Sequence, residues 1–255
     1  MTIQLKARQI SMRFNTRVLF HIPDLTIGPN DAIYLKGANG VGKTTLLKIL
    51  AGLLKPSSGV ITPKHGGFLN RLWSGAGRKD VIYLHQSAYL FDGTVYQNVV
   101  YGLKHRRQNA HDKRADVIAA LRLVGLETLA DEHVSVLSGG EKQRVAMARA
   151  WVLKPSILLM DEPSASLDQE SIERLVTMAQ DLLDLGSSIV VTSHQANKLT
   201  TLCRKQWWIK DCTLIESPLL QVIDKSDINQ STINQSTTKQ ANTNQESTYA
   251  ATSAD

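Results

Sequence analysis

A chain of 255 residues is long enough for one large domain, or a domain carrying a subdomain, with a substantial buried core. Its formal charge of +6 permits contact with anionic lipid or nucleic acid without requiring it, and its two cysteines, Cys203 and Cys212, fit no metal-ligand spacing and point to a reduced, intracellular protein without a disulfide. No apolar run approaches the length of a membrane span; with no signal-peptide core in the first residues, a soluble protein that meets a membrane only through a partner is expected.

Ile3, Leu5 and Ala7 alternate with Gln4, Lys6 and Arg8, the pattern of a half-buried strand. Short strands are expected at Val18 to Phe20 and around Leu25 to Ile27, and Gly28 to Asp31 reads as a turn. Ala32 to Lys36 is a buried strand. It runs into Gly37-Ala38-Asn39-Gly40-Val41-Gly42-Lys43-Thr44, followed by Thr45 and by Leu46, Leu47, Leu50, Leu53 and Leu54 at helical spacing. Strand, glycine loop and helix in that order make G-x-x-x-x-G-K-[ST] a phosphate-binding loop. The glycines let backbone N–H groups converge on phosphate oxygens, and the helix adds the positive end of its dipole. Lys43 would reach the β and γ phosphates, and Thr44 would offer its hydroxyl to Mg2+.

Beyond the break at Lys55 to Gly59, Val60-Ile61 starts another strand. Lys64 to Lys79 is glycine-rich and basic, an exposed loop. Val81 to Leu84 is a buried strand ending at His85-Gln86. From about residue 95 to 139 helical patterns replace strands, which suggests an inserted helical subdomain; Ile118, Leu121, Leu123 and Val124 mark a helix that stops at Gly125. A second helix spans Glu141 to Leu153, with Val145, Ala148 and Val152 on one face. Ile157 to Met160 is an apolar strand ending in Asp161-Glu162. A helix from about Gln169 to Leu185 and a strand from Ser188 to Thr192, ending in Ser193-His194, follow. Helices alternating with wholly apolar strands imply an α/β fold on a mainly parallel sheet. Trp207 to Ile209 and Thr213 to Ile215 suggest a late hairpin. Residues 223–255 are Ser, Thr, Asn and Gln with few hydrophobes, too little apolar surface to offset the entropy of ordering, and are expected to be a disordered tail after a domain spanning residues 1–222. No internal repeat is seen.

Three strands thus end in polar residues: Gln86, Asp161-Glu162 and His194. Ligands of open α/β sheets bind at the carboxyl ends of strands, the edge where the phosphate loop lies. Asp161 suits a Mg2+ position, and Glu162 is placed to take a proton from an attacking water. Leu137-Ser138-Gly139-Gly140-Glu141 opens a helix: Ser138 is a natural N-cap with Glu141 as its capping-box partner. The two glycines there also make a second anion cradle, more than one small site needs, which points to the nucleotide of another subunit.

The phosphate loop, Gln86, Leu-Ser-Gly-Gly-Glu, Ile-Leu-Leu-Met-Asp-Glu, Ser164 to Asp168 and His194 occur in the order of the ATP-binding cassette family, which the chain resembles over roughly residues 3 to 216. The resemblance implies a P-loop NTPase: a RecA-like, mainly parallel sheet core with an antiparallel β subdomain and an inserted helical subdomain. It further implies an active ATPase using ATP and Mg2+, with two ATPs sandwiched in a head-to-tail homodimer. Each nucleotide would lie between one subunit's loop, Gly37 to Thr45, and Ser138, Gly139 and Gly140 of the other. Phe14 would stack on adenine, where the family usually has Tyr. Gln86 would touch Mg2+ or the attacking water, Asp168 would cross the dimer interface, and His194 would contact the γ-phosphate.

One cassette and no membrane span resemble a separate transporter subunit on the cytoplasmic face of the inner membrane. The family's membrane subunits dock after Gln86, which here means the apolar run Ala88 to Phe91. Gln86 to Val95, Asn98-Val99 and Tyr101 to Lys104 look like the importer branch, in particular cassettes for tungstate or molybdate. That implies integral membrane permease subunits and an extracytoplasmic solute-binding protein, without the C-terminal regulatory domain of many molybdate and sugar cassettes. The alternatives are another importer or an exporter, for phosphate, amino acid or lipid, and two soluble classes of cassette. DNA-acting cassettes carry long coiled coils, and Leu46 to Leu137 has no sustained heptads. Ribosome-acting cassettes usually come in tandem. The basic patches Lys104 to Arg107 and Lys113-Arg114 read best as a solvated helix face, so no nucleic-acid partner is expected.

Overall fold

The structure, a computed structural model, describes residues 4–64, 80–104, 109–165, 167–193 and 195–219. In chain order the first elements are strands β1 (Gln4–Phe14), β2 (Arg17–Ile27) and β3 (Ala32–Lys36), then helix α1 (Lys43–Leu50). Strands β4 (Ser58–Lys64) and β5 (Val81–Leu84) lead to helices α2 (Val95–Val100), α3 (Ala110–Leu123) and α4 (Gly139–Val152). Then come β6 (Ile157–Met160), α5 (Gln169–Asp184), β7 (Ser188–Thr192) and the hairpin β8 (Lys205–Lys210) and β9 (Thr213–Pro218).

The strands form two sheets. One is three-stranded and antiparallel, in the order β2-β1-β4; the other has six strands in the order β5-β6-β7-β3-β8-β9. In the larger sheet β5, β6, β7, β3 and β8 run parallel and only β9 is antiparallel. The strands between helices are apolar because both faces are covered: β6 is buried at all four positions and β7 at all five. One apolar cluster joins one face of this sheet to α1 and the small sheet, through Leu35, Leu46, Leu159, Val190, Ile22 and Trp207. The other joins the opposite face to α2 to α5, through Leu158, Val191, Val99, Leu121, Val145 and Leu182. Helix α5 shows why such a helix docks: Leu175, Met178, Ala179, Leu182 and Leu183 recur every three or four residues and are all buried, each large one worth about 1.5–3 kcal/mol of burial.

Two expected boundaries moved. The strands read at Val18 to Phe20 and Leu25 to Ile27 are one strand, β2, kept continuous by pairing with β1 from Phe14 to Leu5; local pattern breaks do not end a ladder whose partner continues. Helix α1 stops at Leu50 rather than Leu54, and Leu53 is exposed, because the chain turns at Gly52 in the left-handed region, a common helix ending. The 223–255 tail, the 64–79 loop beyond Lys64 and the Arg106-Arg107 patch lie outside the described residues.

Candidate functional site

The parallel register assembles the site. Leu84 pairs with Met160, and Met160 with Val191. Two residues past Leu84 is Gln86 and two past Met160 is Glu162, so these become neighbours: Gln86 Nε2 lies 3.4 Å from Glu162 Oε2. One step beyond the Met160–Val191 pair, Asp161 faces Thr192, whose Oγ1 donates to Asp161 Oδ1 at 2.9 Å. The same Oγ1 accepts the Glu162 N–H at 2.8 Å. Asp161 is 4 % exposed, and its Oδ2 accepts the Tyr83 hydroxyl at 2.8 Å. Burial, then the hydrogen bond and charge of Asp161, hold the Tyr83 phenol above its ordinary range, so it stays a donor. Glu162 itself has φ +49°, a left-handed backbone that is costly outside glycine and clusters at functional positions.

β3 lies against β7, with Leu35 opposite Thr192, so the loop from Gly37 opens beside these carboxylates' strands. A methyl at Gly37 would meet Val41 Cγ2 at 2.8 Å, and one at Gly42 would meet the Phe20 ring at 3.0 Å while φ there is +106°; no side chain fits either position. Helix α1 begins at Gly42 without a side-chain cap and with no acidic residue in its first turn. Its first N–H groups and the dipole's positive end therefore favour an anion. The Lys43 ammonium, nearly buried, donates to Gly37 O at 2.8 Å and Ala38 O at 3.2 Å. Ala38, Asn39, Gly40 and Thr44 are exposed, and Gly37, Val41 and Thr45 half-buried. Phe14, 52 % exposed, ends β1 opposite Arg17. Arg17 reaches the carbonyl of Gly40 at 3.3 Å and so brings the aromatic hairpin to the loop.

The second cradle is a helix start with a closed capping box. The Ser138 N–H and hydroxyl both donate to Glu141 Oε2 at 2.8 Å, and the Glu141 N–H donates back to Ser138 Oγ. These bonds hold the Glu141 carboxyl below its ordinary value. Beside them, added methyls at Gly139 and Gly140 would meet nothing within 4 Å, so this face is open. Asp168 caps α5, accepting the Ser171 N–H at 2.8 Å, and its hydrogen bonds to Ser171 keep its carboxyl low. His194 lies outside the described residues.

The oxygen donors Thr44, Gln86 and Asp161 are the hard ligands Mg2+ prefers, and a buried carboxylate steadied by two hydroxyls fits a metal-organising role. Among the described residues no cluster of three His, Cys, Asp or Glu side chains could hold a metal ion.

A groove of about 330 Å3 lies against β5, lined by Tyr83, Leu84, Phe91, Tyr101, Ala146 and Arg149 among others. The run read as a partner surface divides here. Tyr89 and Phe91 are exposed, whereas Ala88 and Leu90 pack on the core. Buried Asn98 fixes the loop, accepting the Phe91 N–H and donating to the carbonyls of Phe91 and Thr94. Arg149 stacks 5.4 Å from the Phe91 ring and donates to Tyr89 O; burial pulls its pKa down.

Tyr83, Thr192 and Arg17 went unread in the sequence. Thr192 ends an apolar strand with a hydroxyl, a signal that could have been used. The other two depend on register and hairpin placement.

A family model described as ABC transporter matches residues 20–165. The chain is 37 % identical over 193 residues to the Vibrio cholerae Fe(3+) ions import ATP-binding protein FbpC, covering 74 % of this chain and 54 % of that protein. It is 35 % identical to the cytochrome c biogenesis ATP-binding export protein CcmA of Idiomarina loihiensis, covering 78 % and 88 %. The chain thus spans about half the length of import relatives such as FbpC. Among solved structures, cbiO1 from Clostridium perfringens, described as part of the ABC transporter complex cbiONQ, superposes with a TM-score of 0.69 at 28 % identity, covering 84 % of this chain and 88 % of that one.

Proposed function

Because this chain belongs to the ABC transporter family, we propose that it is the ATP-binding and ATP-hydrolysing subunit of a transporter, working as a head-to-tail homodimer. The observation that carries this reading is the uncapped start of α1 at Gly42, with the Lys43 ammonium resting on the loop carbonyls. An arriving triphosphate offers that ammonium stronger, charged acceptors. The N–H groups of Ala38 to Thr45 would cradle it, and Phe14 would stack on the base. Thr44, Gln86 and Asp161 would hold Mg2+, which supplies charge neutralisation at the phosphates. Glu162 is the proposed general base: its backbone is braced by Thr192, and its carboxylate lies beside the Gln86 amide. His194 is proposed to contact the γ-phosphate.

Ser138, Gly139 and Gly140 are read as the surface that meets the nucleotide of the second copy, with Asp168 at the same seam. ATP then closes the dimer because it binds the closed state better. The groove beside Phe91 is read as the docking place of an integral membrane permease, which holds the chain on the cytoplasmic face of the inner membrane. Among the described residues no helix is long and apolar enough to cross a membrane. Import with an extracytoplasmic solute-binding protein is the proposed direction, and an oxyanion such as tungstate or molybdate the proposed cargo. The cargo rests on the Gln86 to Lys104 run alone.

ATP binding and hydrolysis by the purified chain, compared with Lys43→Ala, test the reading. Loss of triphosphate affinity by about tenfold or more in the variant is expected for a lost charge-assisted contact. Equal affinity in both would end it. Reconstitution with the permease in vesicles, following labelled tungstate, reads direction and cargo.

A further inference from the structure

The two sheet neighbours of Asp161 hold it unequally. Thr192 sits directly opposite it and bonds Oδ1. Tyr83 comes from farther away. It pairs with Leu159 across β5 and β6, and Asp161 is the next residue on that face. Such a diagonal is longer than a directly facing pair and suits a long or aromatic side chain. The Tyr83 phenol spans it and donates to Oδ2 at 2.8 Å. Each carboxylate oxygen therefore takes one hydroxyl proton, from strands on opposite sides, and each keeps a lone pair for another partner. A phenylalanine there would keep the ring and lose the donor.

Tyr83 has a second connection. Among the described residues β5 lies at the edge of the sheet, and Ile82, Tyr83 and Leu84 all border the groove that also contains Phe91 and Arg149. One four-residue strand thus both borders the groove and grips Asp161.

We propose that Tyr83 is a positioning residue for Mg2+: its hydroxyl orients the Asp161 carboxylate so that the metal of the bound nucleotide is held in place. This rests on the reading of Asp161 as a Mg2+ position. Hydrogen-bonding partners of metal-organising carboxylates carry about 10- to 100-fold in metal affinity when removed, and a site held by one carboxylate plus phosphates has few other anchors.

The test uses the full chain with Glu162→Gln, so that nucleotide is bound rather than consumed. Binding of a fluorescent ATP analogue is titrated with Mg2+, with and without Tyr83→Phe, which keeps the ring and removes only the hydroxyl. The half-saturating Mg2+ concentration is expected to rise about tenfold, while affinity in excess chelator stays within about twofold. Mn2+, followed by its magnetic resonance line on binding, provides the same comparison with a second cation. Unchanged Mg2+ dependence beside a Mg2+-dependent parent would overturn the role of Tyr83 alone. An equal loss of affinity with and without metal would reduce the residue to a packing role and also overturn it. A parent whose nucleotide binding ignores Mg2+ would remove both this proposal and the reading of Asp161.

Discussion

Glu162 combines a carboxylate, a backbone at φ +49° and a brace from the Thr192 hydroxyl to its own N–H. Asp161, one residue past the end of β6, is gripped on both oxygens. Two adjacent acids are thereby given different surroundings: one buried and fixed, the other half-buried and beside Gln86. Glu162→Gln keeps the shape and removes the proton acceptor. Turnover is expected to fall by ~10² or more with ATP binding retained, and a nucleotide-bound dimer should accumulate, visible by size-exclusion chromatography with ATP. Parental hydrolysis rates in the variant would remove Glu162 from the role of base.

At the scale of elements, α4 does two things at its first turn. Its capping box satisfies N–H groups that would otherwise be unpaired, and its glycines leave an open face. Ser138→Ala should cost about 1 kcal/mol of stability, read by denaturant unfolding. The pH dependence follows from Glu141, whose folded carboxyl lies below its ordinary value of 4.5, chiefly through the Ser138 N–H and then its hydroxyl. A lowered folded value means the contribution is complete above 4.5 and is lost as pH falls through the lower folded value. The difference between parent and variant should therefore shrink on acidification, and a difference that widened would contradict the capping box. The loop after β5 makes a contrasting case. Leu90 is packed on the core, so charge there would test folding; Tyr89, 74 % exposed, is the clean probe. Tyr89→Glu is expected to weaken permease association, measured by co-purification from membranes, with hydrolysis by the free subunit unaltered. Undiminished association would move the docking place elsewhere.

One chain carries both the α1 cradle and the open α4 face, where added methyls at Gly139 and Gly140 would meet nothing within 4 Å. If each nucleotide is shared between two copies, two inactive variants should complement. A Lys43→Ala chain supplies an intact Ser138 face, and a Ser138→Arg chain supplies an intact phosphate loop. Mixed, they form one complete site per heterodimer. Hydrolysis by the mixture well above either variant alone is expected in a steady-state assay; additive background only would show that each chain works on its own ATP.

What the residues settled unaided was local. G-x-x-x-x-G-K-T between an apolar strand and a leucine-spaced helix, Ser-Gly-Gly-Glu at a helix start, and Asp-Glu after four apolar residues are each written in a few consecutive positions. Their chemistry needs no distant partner to be read: left-handed backbone, capping and burial act over one turn or one strand. The late hairpin and the strand–helix alternation were legible for the same reason. The full extent of β2 and the early end of α1 were not, because pairing with β1 and a turn at Gly52 outweigh local pattern. Tertiary structure alone decided who meets whom. Only the order β5-β6-β7-β3 and its register bring Gln86 to Glu162, Thr192 to Asp161 and, along the diagonal, the Tyr83 hydroxyl to the same carboxylate. Register is a long-range quantity, fixed by how two apolar sheet faces fill against α1 on one side and α2 to α5 on the other, and no short stretch of sequence encodes it.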